Sequence, residues 1–418
     1  MAHLQQPQRI QIHLGAAIFS VSVAGITACG GSAPHHEPIP EGYYELVAPI
    51  LAKNCVGCHS AGGIAPFSLD TYEAVAERAG KMKHVTQTRI MPPFLADNTG
   101  ACNTYKDAMW LTDMEIATIG RWFDDGKLPG DPKRAPELPT PPERALPSVS
   151  ASIDIGVDYT PNAALDDDYR CFVVDPAFAT DRFLTGVQVR PGATAIVHHV
   201  IVYAPQNASA EAQAVRLDSR EAGPGYTCFG GPRISGLPVA GWAPGMPATR
   251  YPDGTGIRLA QGRKLIIQVH YNTKAGVTPD RTRFDMQLAD SVDKEAYMIP
   301  AGDYEMVLAP GQASVSTTVQ TPAPLGFTLH GIIPHMHRLG RKLRVERVRA
   351  GVTACVIDVP RWDFDWQLFY FYSQPIRMES GDVLRLTCTF DTSSRTEPVR
   401  WGEGTEDEMC FTSAYVTL

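Results

Sequence analysis

The sequence predicts a multidomain chain, a small all-α domain followed by two all-β sandwiches. Three observations predict it. Residues 41–128 carry apolar side chains at helical spacing between capping signals. Seven prolines then crowd the stretch from Pro129 to Pro147, reading as a stiff extended linker, residues 129–149. Beyond it the texture changes to short alternating or apolar runs broken by Gly, Pro and Asp. Examples are Ala195 to Tyr203, Lys264 to Tyr271, Phe327 to Ile333 and Val383 to Phe390. That much strand-like sequence fits two antiparallel sandwiches better than one, over residues 150–293 and 294–418.

The 418 residues are 44% hydrophobic and 20% charged, enough to bury a core and too apolar for a disordered polymer. A net charge of −8 with no Lys/Arg block excludes an electrostatic nucleic-acid footprint. Nine cysteines leave an odd one without a disulfide partner.

The N-terminus accounts for it. Residues 1–28 hold Arg9 as their one formal charge and an apolar run from Leu14 to Ile26, too short to span a bilayer. This reads as a secretory signal. Its end, Ile26-Thr27-Ala28-Cys29, resembles a bacterial lipobox, which makes Cys29 a lipidated residue followed by a tether over 29–40. The expectation is an exported, membrane-anchored lipoprotein in the periplasm of a Gram-negative bacterium, with Gly30 favouring the outer membrane. Export permits disulfides and covalent haem.

In the helical segment, Asp70-Thr71-Tyr72-Glu73 and Thr112-Asp113-Met114-Glu115 each fit an N-cap with Glu at the third helical position. Ile116, Ile119, Trp122 and Phe123 follow at helix spacing, and Gly126 supplies a stop. Cys55-Val56-Gly57-Cys58-His59 is the Cys-x-x-Cys-His pattern of covalent haem attachment, with His59 set to ligate iron. The segment therefore reads as a small c-type cytochrome holding one haem c. Met91, in Arg89-Ile90-Met91-Pro92-Pro93, is the expected second axial ligand and resembles the Met-bearing loop of class I cytochromes c; His84, Met82 and Met109 compete.

Histidines mark the strand-rich region. His198-His199 and His270 sit inside strand-like runs. Adjacent side chains on a regular strand face opposite ways, so His198 and His199 can share a metal only at a strand end or bulge. The alternative is one core and one exposed histidine. His335-Met336-His337 places two imidazoles on one strand face, in reach of one ion, while His330 faces the other side. Neutral imidazoles suit copper or zinc, and an added thioether favours Cu(I).

Taken together these motifs resemble the copper type II, ascorbate-dependent monooxygenases, from about Ser150 to the end. The carriers are Val197-His198-His199, Gln268 to Tyr271, His335-Met336-His337-Arg338-Leu339-Gly340-Arg341 and Glu408-Met409-Cys410. The resemblance implies two jelly-roll sandwiches separated by a solvent cleft. It assigns His198, His199 and His270 to one copper, and His335, His337 and Met409 to a second, catalytic copper that reacts with O2. It implies a small-molecule substrate, hydroxylation of a C–H bond, and ascorbate as a possible reductant. The fused haem suggests a periplasmic electron donor feeding the His198/His199/His270 copper. The competing reading is a non-catalytic haem/copper electron-transfer or copper-binding lipoprotein.

Three departures bear on substrate. Peptide-amidating members carry an arginine where this chain has Ile333, and Asn and Tyr where it has Phe411 and Ser413, so a peptide C-terminus is not expected. The resemblance also pairs Cys171 with Cys228 and Cys388 with Cys410. Cys102 and Cys355 remain, expected free or buried, with a bridge between them as the alternative.

Overall fold

The computed structural model describes residues 41–418 except 62–64, 140–143, 245, 275 and 405. The expected signal, Cys29 and tether lie outside the described residues. Among the described residues no helix is long and apolar enough to cross a membrane.

The helical segment packs α1 (Ala48–Asn54), α2 (Tyr72–Gln87) and α3 (Asp113–Asp124) around Val47, Leu51, Val75, Ala79, Met82, Ile119 and Trp122. Thr112 caps α3 in a reciprocal box with Glu115, and Gly126 ends it at φ +88°. The α2 cap is Thr71, one residue later than the sequence suggested. Asp70 is occupied elsewhere, accepting from the Ala61 amide and the Ser68 hydroxyl.

Two β-sandwiches follow, each with its own apolar core. In the first, a five-stranded sheet runs Tyr226–Thr227, Asp167–Val174, Leu265–Asn272, Val197–Pro205, Gly236–Trp242. In the second, a four-stranded sheet runs Val315–Pro322, Val383–Phe390, Gly340–Arg349, Val352–Val359. Both lie against one nine-stranded sheet that continues from the first sandwich into the second. The join is a short parallel pairing, Lys294 with Thr255 and Glu295 with Gly256. This shared sheet was not legible from the sequence, because each strand's alternation says which face is buried and nothing about its neighbour.

Three further differences are physical. The helix α4 (Ala208–Arg220), capped by Asn207, interrupts the first sandwich and buries Ala214 against Cys171, Tyr226 and Cys228. The proline-rich segment does not hold its neighbours apart. Asp131 donates its amide to Glu45, Arg134 pairs with Glu45, and Leu146 is buried beside Gly186. Residues 94–105 leave the helical segment altogether. Phe94, Leu95, Ala96 and Tyr105 enter the second sandwich's core, and the backbone pairs Tyr105 with Tyr372.

A disulfide fixes this docking. Cys102 and Cys355 are bridged, 253 residues apart in sequence, so the expectation that both are free is corrected. Cys171–Cys228 and Cys388–Cys410 are also bridged.

Candidate metal centres

His198, His199 and His270 meet at one edge of the first sandwich. Strand Val197–Pro205 pairs with Leu265–Asn272, matching Val197 to Tyr271 and His199 to His270, and the register shift between them leaves His198 as the extra residue. That bulge turns two adjacent side chains to the same side. The Nδ1 atoms of His198 and His199 stand 3.3 Å apart, and those of His199 and His270 3.4 Å. Imidazole nitrogens ~2.0 Å from a tetrahedral ion are ~3.3 Å from one another, so the spacing fits a shared first-row metal.

The surroundings keep these lone pairs free for an ion. Burial pushes His198 down to about 3, helped by the nearby His270, His337 and His335, and drives His199 well below the usual histidine range. His270 is lowered by burial, with Asp167 opposing. The His270 Nε2–H donates to Asp167 Oδ1 at 2.8 Å, which fixes the tautomer and turns Nδ1 toward the other two rings. Tyr169 stacks on His270 with centroids 4.0 Å apart.

The second set lies at the end of strand Phe327–His335. Met336 is fully buried, so His335 and His337 share the opposite face. His335 Nδ1–H donates to Gln367 Oε1 at 2.7 Å, and His337 Nδ1–H donates to the Asp407 carbonyl at 3.0 Å. Both Nε2 atoms are thereby left as the ligand positions. Burial lowers both imidazoles, His335 to about 3. Gly340 explains the trailing glycine: a Cβ there would come within 2.8 Å of Met336 and of Trp362.

Met409 is buried next to the Cys388–Cys410 bridge, two residues before Phe411, which pairs with His335 across the sheet. Glu408 joins the two halves of this set. Its carboxylate accepts from the amides of His337, Leu339 and Met409 at 2.9, 2.6 and 3.3 Å. His330 stands apart, its Nε2 2.9 Å from the Thr417 hydroxyl.

The two sets face one another across Phe364. Its ring stacks on His198 with centroids 5.1 Å apart and meets His337 edge-on at 6.0 Å. An aromatic side chain thus stands where the resemblance implies a solvent cleft. The sequence reading missed Phe364, Asp167, Gln367, Trp362 and Tyr169, and named Glu408 only within Glu408-Met409-Cys410, without its bonds to the His337, Leu339 and Met409 amides.

In the helical segment, the amides of Cys58 and His59 both donate to the Cys55 carbonyl, forming one helical turn. The His59 Nδ1–H donates to the Phe67 carbonyl at 3.1 Å, which fixes the ring's orientation and tautomer. Cys55 and Cys58 are the free thiols among the described cysteines. Burial pushes the Cys55 thiol up to about 12. Met91 is half-buried on the loop after α2, its amide donated to the Val85 carbonyl. Of its competitors, Met82 is in the helical core, Met109 packs against the second sandwich, and His84 is exposed.

Residues 286–417 match the family described as copper type II ascorbate-dependent monooxygenase, C-terminal domain. Peptidyl-glycine alpha-amidating monooxygenase A of Xenopus laevis is 27% identical over 185 residues, 40% of this chain and 19% of that protein. Peptidylglycine alpha-amidating monooxygenase of Rattus norvegicus is 30% identical over 185 residues, 40% of this chain and 18% of that one. Dopamine beta-hydroxylase of Rattus norvegicus is 25% identical over 307 residues, 66% of this chain and 47% of its own length. The matched stretches span less than half the length of each relative. Among solved structures, allantoicase aligns over 59% of this chain and 77% of its own at 12% identity and a TM-score of 0.17, too low to inform the fold. The stretch that holds His335, His337 and Met409 is therefore similar to the C-terminal domain of the copper type II monooxygenases, and the relatives this chain matches are oxidoreductases of that family.

Proposed function

We propose that this chain is a copper-dependent monooxygenase that hydroxylates a C–H bond of a small organic substrate. The overall change is RH + O2 + 2 e⁻ + 2 H⁺ → ROH + H2O. The observation that carries the reading is the convergence of three neutral imidazoles, His198, His199 and His270, opposite a second set built on His335 and His337. Copper held by these two sets, with Met409 completing the second, supplies O2 activation and one-electron storage.

The protein's own residues hold and shield these ligands. Asp167, Gln367 and the Asp407 carbonyl fix three imidazoles by their remote nitrogens. Glu408 fastens the His337 turn to Met409. Phe411 and Phe364 line the approach to His335 and His337 with apolar surface. Ile333 stands where the amidating enzymes are expected to carry their carboxylate-binding arginine. The substrate is accordingly read as lacking a peptide carboxylate.

Electrons come from ascorbate, as the matched family's description implies, or from a haem c held by Cys55, Cys58, His59 and Met91. The unbridged thiols on one helical turn and the fixed His59 Nδ1 suit that haem. The three bridges suit export from the cytoplasm, with Cys29 as lipid anchor and a periplasmic electron donor.

A metal count and isotope labelling test the reading together. Two coppers and one haem per chain are expected, one copper being lost in His270→Ala or Met409→Ile, with ¹⁸O from ¹⁸O2 appearing in product. A zinc-only protein that resists copper reconstitution would overturn it.

A further inference from the structure

A strand at the edge of a sheet presents a row of unpaired amides and carbonyls. Proteins guard such edges by keeping them short, covering them, or placing Lys, Pro or a bulge on them. Most edges here are guarded in one of these ways. The nine-stranded sheet begins at Ala151–Asp154, four residues long. It ends at Tyr370–Met378, which residues 104–106 cover: the Lys106 amide donates to the Phe371 carbonyl at 2.8 Å, and the Ser373 amide to the Thr104 carbonyl at 2.9 Å. The five-stranded sheet ends at the two-residue Tyr226–Thr227 and at Gly236–Trp242, which carries Pro238 and a bulge. In the four-stranded sheet, Val352–Val359 is covered by residues 97–103. The Asp97 amide donates to the Asp358 carbonyl at 2.8 Å, the Asn103 side chain to the Val356 carbonyl at 2.8 Å, and Cys102 is bridged to Cys355.

The opposite edge of that sheet, Val315–Pro322, has no such guard among the described residues. It is eight residues long and pairs with Val383–Phe390 without a bulge, and its backbone groups bond nowhere outside that pairing. It carries no charge, and its proline is its final residue. Ser316, Thr318 and Gln320 point to water, and two of their hydroxyls join a cross-strand ladder: Ser316 to Thr389 at 2.8 Å and Thr318 to Thr387 at 3.0 Å. Val315, Thr317 and Val319 face the core yet are only half-buried, whereas Leu386 and Leu343 on the next two strands are buried. The side of the sandwich is therefore open at this strand. Val307, on the short strand Val307–Leu308 beside it, is 52% exposed.

We propose that this edge pairs with the same edge of a second copy of the chain, antiparallel about a two-fold axis, so that two four-stranded sheets become one of eight. The composition of the strand selects this occupant. A two-fold axis sets each side chain opposite one from the same strand, and before Pro322 that set is Val, Ser, Thr and Gln alone. No like charges meet wherever the axis falls, and hydroxyl and β-branched pairs are favourable cross-strand neighbours. The one charge on the neighbouring strand, Arg385, is already bonded to Glu346 at 2.8 Å. Pairing would also cover the half-buried Val315 and Val319, and it would satisfy the open row of backbone groups on both copies at once. His198, His199 and His270 stand on the five-stranded sheet and His335 on the nine-stranded one, so this contact is independent of the proposed function.

Sedimentation velocity on the full chain, over a series reaching about 100 µM, should show a reversible monomer–dimer equilibrium. Thr318→Lys sets two like charges near one another across the axis, at an exposed site that spares the core. It should raise the dimer Kd by about tenfold or more at an unchanged urea midpoint. Val352→Lys, on the covered edge of the same sheet, should leave the Kd unchanged. Hydrogen exchange gives a second readout: the amides of residues 315–321 should exchange more slowly as concentration rises, and those of the other edge strands should not. A chain that stays monomeric across the series overturns the proposal, and so does a dimer that Thr318→Lys leaves intact. A monomer whose 315–321 amides are protected only by an added peptide of alternating Val and Lys assigns the edge to a foreign strand, and overturns it as well.

Discussion

Tyr169 lies flat on His270, ring planes 11° apart, while its hydroxyl donates to the carbonyl of Glu403 in the loop that leads to Met409. A ring from the first sandwich thus braces one imidazole and holds the second set's loop. The same loop is met by the Gly230 amide, which donates to the Glu403 carboxylate at 2.9 Å. Tyr169→Phe keeps the stack and removes the hydrogen bond. The expected cost is about 1 kcal/mol in urea unfolding. Tyr169→Ala also removes the buried ring, and about 3 kcal/mol is expected with a loss of copper from the His270 set. Equal unfolding midpoints for Tyr169→Phe and the unmodified chain would show that the bond contributes nothing.

Asp167 holds one ring of the three-imidazole set in place. Its Oδ1 accepts from the His270 Nε2–H, so Asp167→Ala frees the ring to rotate or to change tautomer. Copper affinity at this set should fall by about 10–100-fold. Competition with a chromophoric Cu(I) chelator measures it. Affinity within about twofold of the parent would mean that the backbone bulge alone orients His270.

The Cys102–Cys355 bridge closes a very long loop, and its two halves bring Phe94 and Tyr105 onto Tyr370. Cys102→Ser should destabilise the protein by about 2–4 kcal/mol. Protease cutting should rise first between residues 97 and 110, where the chain lies over the second sandwich, while the strands around His337 stay resistant. Uniform cutting along the whole chain would contradict this local role.

Acid stability should depend on Asp382. Arg349 donates two hydrogen bonds to its carboxylate, at 2.8 and 2.7 Å, and holds it down to about 2 against an ordinary 3.8. A carboxylate whose folded pKa is depressed stabilises the fold above the unfolded value and loses that contribution as pH falls through the folded one. Asp382→Asn should therefore cost about 1–2 kcal/mol at pH 7, discounted for the half-exposed guanidinium. The gap to the parent should narrow as pH drops from about 4 toward 2, which urea titrations across that range would reveal. A gap independent of pH would assign the cost to packing.

Much of this arrangement was legible because strand and helix periods leave marks in sequence. The period-two rule put His335 and His337 on one face, and a metal shared by adjacent residues required a strand end or a bulge, of which the structure has the bulge, at His198. The capping box at Thr112 was written in four residues. Contacts set by tertiary neighbours were not legible. Leu95 donates its amide to the Tyr370 hydroxyl across 275 residues, and no local pattern foretells it. Asp167, at a strand start, and Trp362 and Gln367, in the loop between Val359 and Tyr370, look like ordinary residues until the fold brings them to the histidines. Asn207–Arg220 was read as part of a strand-rich stretch because its alanines and polar residues carry only a shallow apolar stripe.

The sheet shared by both sandwiches has a consequence for how the sites work together. Strand Lys294–Gly302 pairs with Thr255–Leu259 on one side and with Phe411–Thr417 on the other, so backbone hydrogen bonds span the boundary between the halves. Thr255 also meets the Tyr415 hydroxyl at 2.9 Å across it. Such a plate resists bending at its middle, so the gap between the two imidazole sets is a built-in dimension rather than an adjustable one. Phe364, touching His198 on one side and His337 on the other, is thereby seated between two partners whose separation the backbone itself sets.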